Sequence, residues 1–120
     1  EELFREEEVK IEDVLIICDD INLELGKIRM RRRGSSGGQK GLESVIKALC
    51  RDDFARLRLG IATDKHEGDI TDYVLSPFKR KHLRHLKHVI ILAMDASLFW
   101  IENGAELTMT RFNKRTVGTS

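Results

Sequence analysis

Asp19–Gly41, DDINLELGKIRMRRRGSSGGQKG, decides how this 120-residue chain folds. Two carboxylates, Asp19 and Asp20, stand directly after five apolar residues, Val14 to Cys18. An unbroken apolar run of that length suits a strand covered on both faces, as in a parallel α/β sheet. Glu24–Gly26 reads as a turn. In Lys27–Arg33, Ile28 and Met30 alternate with Lys27, Arg29 and Arg31, the period of a half-buried strand with one cationic face. Gly34–Gly38 packs three glycines and two serines into five positions and must be a loop. An acid at a strand's end, a cationic strand and a glycine loop opening a helix make a site for a phosphate-bearing ligand.

Downstream of the loop, Leu42, Val45, Ile46 and Leu49 recur at i, i+3, i+4 and i+7, which predicts a helix from Gln39 with one stripe against the sheet. Arg56 to Ala62 alternates cleanly, with Leu57, Leu59 and Ile61 on one face and Arg56, Arg58 and Gly60 on the other, a central strand. Thr63–Asp72 is polar and aperiodic, a mobile loop. Tyr73–Leu75 reads as a short edge strand before Pro77. A long helix from Lys79 to Asn103 follows, with Leu83, Leu86, Ile90, Met94 and Ile101 as its expected buried stripe. Asn103-Gly104 stops it, Ala105–Asn113 forms a last short helix, and Thr116–Ser120 is a frayed tail. Upstream, Glu1–Lys10 reads as a very acidic helix anchored by Leu3 and Phe4.

Composition narrows the function classes. Hydrophobic residues at 41% and charged residues at 34% suit a globular domain rather than a disordered chain. The net charge is only +1, so attraction to nucleic acid has to come from local clusters. Such clusters exist at Lys27–Arg33 and Lys79–His88, while the acids crowd the N-terminus. No apolar run is long enough to cross a bilayer, and no membrane partner is expected. Two separated cysteines, Cys18 and Cys50, give neither a disulfide framework nor a zinc site, which points to a reducing cytoplasm.

Candidate site residues follow from the opening stretch. Asp19 either orients a partner such as an imidazole or caps nearby amides, and the residues alone leave both readings open. Arg29, Arg31 and Arg33, joined by Arg58 from another strand, form either a phosphate clamp or a solvated strand face. The glycines favour the clamp, because they let a ligand approach the backbone closely. The loop is neither a Walker loop nor GxGxxG. His82, His85 and His88 recur in steps of three that drift around the helix among lysines and arginines, so a solvated basic face is expected and no metal site.

With these residues in view, the chain resembles the bacterial-type peptidyl-tRNA hydrolases. The likeness runs through LIICDDINLELGKIRMRRRGSSGGQKGLESVIKAL, FARLRLGIA, YVLSPF, the long helix and the closing RFN. It takes in nearly the whole chain, but about the last two-thirds of the family's domain, so residues 1–120 are expected to form a single N-terminally truncated domain of that kind. The resemblance implies an α/β fold, a mixed twisted sheet flanked by helices with the N-terminal part of the family fold absent. It implies an esterase that frees tRNA from a stranded peptide, without cofactor or metal. Asp19 would hold the catalytic imidazole in its working tautomer, and Arg31 and Arg58 would grip the 5′ phosphate of the tRNA. Gly38, Gln39, Lys40 and Gly41 would contact the substrate.

The departures from the family pattern are specific. The catalytic histidine and the neighbouring asparagine belong to a part of the pattern ahead of Glu1, and none of His66, His82, His85 or His88 matches the base. The isolated chain is therefore expected to be inactive. Gln39-Lys40 replaces a His-Asn pair, and a lysine cannot accept a hydrogen bond as the asparagine amide does. Lys40 with Arg32 and Arg33 supports an alternative, a catalytically inert RNA-binding relative of the splicing-factor kind. Loss of the first strand should expose a sheet edge beside Val14–Cys18 and drive self-association.

Overall fold

The computed structural model of the chain describes residues 9–63 and 82–113. Most of the acidic helix expected at Glu1–Lys10, most of the loop at Thr63–Asp72, the strand at Tyr73–Leu75, His66 and the tail at Thr116–Ser120 lie outside the described residues. After a 3-10 turn at Ile11–Asp13 come β1 (Leu15–Glu24), β2 (Ile28–Arg31), α1 (Lys40–Leu49), β3 (Ala55–Ala62) and α2 (Leu83–Thr108), then a wide π-helical turn, Met109–Asn113.

The sheet order is β1-β3-β2, so the alternating strand is central, as its pattern predicts. β1 runs parallel to β3, with Leu15 opposite Ala55 and Asp19 opposite Leu59. β2 runs antiparallel to β3, with Ile28 opposite Leu59 and Arg31 opposite Arg56. Strands adjacent in sequence thus lie on either side of β3, and the chain between them has to cross it. It crosses at Gly60, whose N–H donates to the Lys27 carbonyl at 2.8 Å. A Cβ on Gly60 would overlap the Glu24 carbonyl oxygen and lie 2.7 Å from that of Leu23. Only glycine allows that passage.

One sheet face builds the core. Ile28, Met30 and Leu57 meet Val89, Ala93 and Ala96 of α2 and Phe112 of the final turn, all buried. Each large aliphatic side chain taken fully from water contributes roughly 1.5–3 kcal/mol. The stripe expected on the long helix is corrected here. Leu86 does pack against the core, but Leu83, Ile90, Met94 and Ile101 are 46, 46, 59 and 68% exposed. The buried face is instead Val89, Ala93 and Ala96, whose small side chains let the helix approach a sheet that already supplies the bulk. Gly104, at φ 85°, interrupts the helix where Asn103-Gly104 predicts a stop. The chain then turns so that Phe112 packs edge-on against Phe99, with ring centres 5.8 Å apart.

The strand at Val14–Cys18 also differs from expectation. It continues to Glu24 and is only half-buried, with Ile17 52% exposed. The reason is position: β1 ends the strand order, and no described strand pairs with its outer edge. The opposite edge is closed by a side chain. Asn113 accepts from the Met30 N–H at 2.8 Å and donates to the Met30 carbonyl at 3.0 Å, so its amide stands in for a neighbouring strand.

Candidate functional site

Three elements meet at the glycine loop: the end of β1, the middle of β3 and the first turn of α1. Asp19, on the last regularly paired stretch of β1, turns its carboxylate toward the loop and accepts from Gln39 Nε2 at 2.5 Å. Gln39 is the N-cap of α1, and its Oε1 accepts from the Leu42 N–H at 2.6 Å. The neighbouring Asp20 accepts from the Asn22 N–H at 2.8 Å and lies 3.8 Å from Arg58 Nη1. Lys40 opens the helix, exposed and with no side-chain partner among the described residues.

The strand register decides how the arginines gather. Arg29 is opposite Arg58 and Arg31 is opposite Arg56, so all four share the face away from the core. They do different things there. Arg56 is 1% exposed and gives four hydrogen bonds, every one to a backbone carbonyl. Nε donates to Phe54 at 3.1 Å, Nη1 to Gly34 and Ser35 at 2.8 and 3.2 Å, and Nη2 to Asp52 at 2.7 Å. The guanidinium also sits 4.6 Å over the Phe54 ring. Burial, with Arg58 nearby, pushes the Arg56 pKa below its ordinary value, yet an arginine remains a cation at neutral pH.

Arg58 is held more loosely. Its Nη2 donates to the Ser35 and Ser36 carbonyls at 3.4 and 3.3 Å, and the loop drapes over it. A Cβ on Gly37 would come within 3.4 Å of Nη2, and Gly37 adopts φ 62°. Gly34 and Gly38 are likewise left-handed, at φ 136° and 89°. Arg31 and Arg33 are exposed. Arg32 points elsewhere and pairs with Glu106 of α2 at 2.9 Å, which removes it from the cationic face. Among the histidines at the start of α2, His85 and His88 are exposed and His82 half-buried. The described residues contain no cluster able to hold a metal ion.

Of the residues named from the sequence, Asp19 is bonded to Gln39 and Arg58 to the loop carbonyls of Ser35 and Ser36, while Arg31 and Lys40 have no side-chain partner among the described residues. Sequence reasoning misses the burial of Arg56, since Arg56 and Arg58 occupy equivalent places in the alternation. It also misses Gln39 as a cap, because glutamine is not among the usual capping residues.

A family model described as Peptidyl-tRNA hydrolase matches residues 1–120. The chain belongs to the peptidyl-tRNA hydrolase family. The peptidyl-tRNA hydrolase of Rhodopirellula baltica is 43% identical over 102 residues, which is 85% of this chain and 54% of that protein. That of Chlorobium phaeobacteroides is 41% identical over 107 residues, 89% of this chain and 57% of that protein. The chain therefore spans little more than half the length of the curated peptidyl-tRNA hydrolases it matches. The crystal structure of the Acinetobacter baumannii peptidyl-tRNA hydrolase superposes with a TM-score of 0.80 at 23% identity, covering 93% of this chain and 57% of that one. At that identity the likeness speaks for the fold: a mixed sheet flanked by helices.

Proposed function

We propose that this chain carries the carboxylate and the phosphate grip of an esterase that releases tRNA from a stranded peptide. One observation supports this reading above the others: the glycine loop meets Arg58 through its Ser35 and Ser36 carbonyls and ends in Gln39, which is bonded to Asp19. Four guanidiniums on one strand face repel one another, and a bound phosphate relieves that repulsion. Arg58, held by two long contacts to carbonyls and a 3.8 Å ion pair with Asp20, would exchange these for the phosphate, and the exposed Arg31 lies diagonally beside it. Asp19 would fix the tautomer of an imidazole acting as general base on water. The amide of Gln39 is engaged at both ends, so substrate contact at that dipeptide falls to Lys40 and to the backbone of Gly38 and Gly41.

Among the described residues no histidine is bonded to Asp19, whose side-chain partner is Gln39. The isolated chain is accordingly proposed to bind tRNA without turning over peptidyl-tRNA, in a reducing cytoplasm and without metal or cofactor. As one domain spanning 1–120 it should self-associate through the outer edge of β1, visible as a concentration-dependent sedimentation coefficient; a constant monomer would remove that part. The central test is tRNA binding at several salt concentrations. Log affinity should fall against log salt with a slope of about −0.9 per phosphate held. Removing the 5′ phosphate and replacing Arg58 by alanine should each weaken binding, and the two together no more than either. Affinity indifferent to the 5′ phosphate would defeat the proposal.

A further inference from the structure

One carboxamide in this site serves two structures at once. Gln39 Oε1 closes the first turn of α1 by accepting from Leu42, while Nε2 donates to Asp19 Oδ1. We infer that Gln39 is a positioning residue for Asp19: it fixes one carboxylate oxygen against the helix cap and leaves the other as the acceptor for an incoming imidazole. The consequence for catalysis rests on the esterase reading above; the positioning itself does not.

The geometry makes the assignment specific. The backbone of Gln39 is pinned from both sides, its N–H donating to the Ser36 carbonyl at 3.1 Å and its carbonyl accepting from Glu43 at 3.0 Å. With Oε1 committed to Leu42, the direction of Nε2 is set, and Asp19 inherits that direction across a 2.5 Å bond. A side chain at this position has to accept and donate together, which a neutral amide does and neither a hydroxyl of short reach, a carboxylate nor a lysine can do. Gly41 leaves room for glutamine to fold back and cap: a Cβ there would lie 3.2 Å from Gln39 Oε1, a tight approach that would press on the amide. The usual capping residues are one or more bonds shorter and would satisfy Leu42 while leaving Asp19 unbound.

That difference in length separates positioning from capping alone. Gln39→Ser keeps a capping oxygen but cannot reach Asp19. In the 120-residue chain without RNA, exchange of the Leu42 amide should stay within about twofold of the parent, since serine is a good cap. The three-bond couplings of the Asp19 side chain should meanwhile change from a single rotamer to an average. Gln39→Glu, which sets carboxylate against carboxylate, should also release Asp19. Unaltered Asp19 couplings in Gln39→Ser with Leu42 still protected would overturn the inference, leaving Gln39 as a cap only. If Gln39→Ser loses Leu42 protection, Asp19→Ala decides. There the Gln39 side-chain amide protons should shift and exchange faster while Leu42 stays protected, and unmoved amide protons would overturn the inference. Since no RNA is present, failure here and failure of the tRNA reading are read from different experiments.

Discussion

Replacing Arg56 by methionine tests whether a buried cation, rather than the loop's own glycines, holds the site together. Methionine keeps much of the apolar stem but removes all four hydrogen bonds to Phe54, Gly34, Ser35 and Asp52. With a charged donor each such bond is worth about 1.5 kcal/mol or more, a gross loss of roughly 6 kcal/mol. Two recoveries oppose it. The guanidinium no longer has to be desolvated, and the Gly34 and Ser35 carbonyls, on a loop at the surface, can turn to water. A net destabilisation of about 3 kcal/mol remains. Urea unfolding followed by circular dichroism should show it as a midpoint lower by about 1.5 M, for a slope near 2 kcal/mol per molar. Arg58→Met is the internal control. Its carbonyl contacts are 3.3–3.4 Å long and its ion pair with Asp20 spans 3.8 Å, so its loss should stay at about 1 kcal/mol. An Arg56→Met variant within about 1 kcal/mol of the parent, or the two variants losing equally, would refute the reasoning.

Gly60→Ala should destabilise the fold by about 3 kcal/mol, because the new methyl meets the Glu24 carbonyl where β1 crosses toward β2; an unchanged thermal melt would mean the crossing can shift. Asn113→Asp keeps the acceptor for Met30 N–H but sets an oxygen against the Met30 carbonyl, and should cost about 1–3 kcal/mol in urea unfolding. Alkylation should separate the two cysteines. Burial raises the Cys18 thiol pKa above its ordinary value, so less thiolate is present at pH 8 and iodoacetamide should modify exposed Cys50 first. The sign carries to stability: the fold favours the neutral thiol, so this contribution is intact below the unfolded pKa and fades as pH climbs through the raised one. Equal alkylation rates would contradict the burial.

Strand, loop and helix were legible here because backbone chemistry leaves few choices. Gly34–Gly38 resists regular structure, and Arg56–Ala62 alternates too cleanly to be anything but a strand. The nearness of Asp19 and Arg58 follows from register, with Cys18 opposite Arg58 in the parallel pair, which alternation alone does not give. What stayed hidden depends on neighbours. Alternation puts Arg56 and Arg58 on one face but does not say that the loop closes over the first of them. Periodicity weighs large aliphatics most heavily, so it chose Ile90, Met94 and Ile101 over Val89, Ala93 and Ala96. Which side of a helix meets a sheet depends on how near the two must come, and that is a property of the partner. Asn113 carries no local signal at all, because its purpose lies 83 residues away at Met30.

The two borders of the sheet are finished unequally. A single amide seals β2, while no described strand covers the far side of β1 just ahead of Asp19. A strand laid along that border would bring its loop beside the carboxylate, so extending the sheet and completing the proposed site would be one event. On the function proposed above, substitutions that merely disturb how β1 is joined should then reduce turnover without touching any group proposed to meet the tRNA.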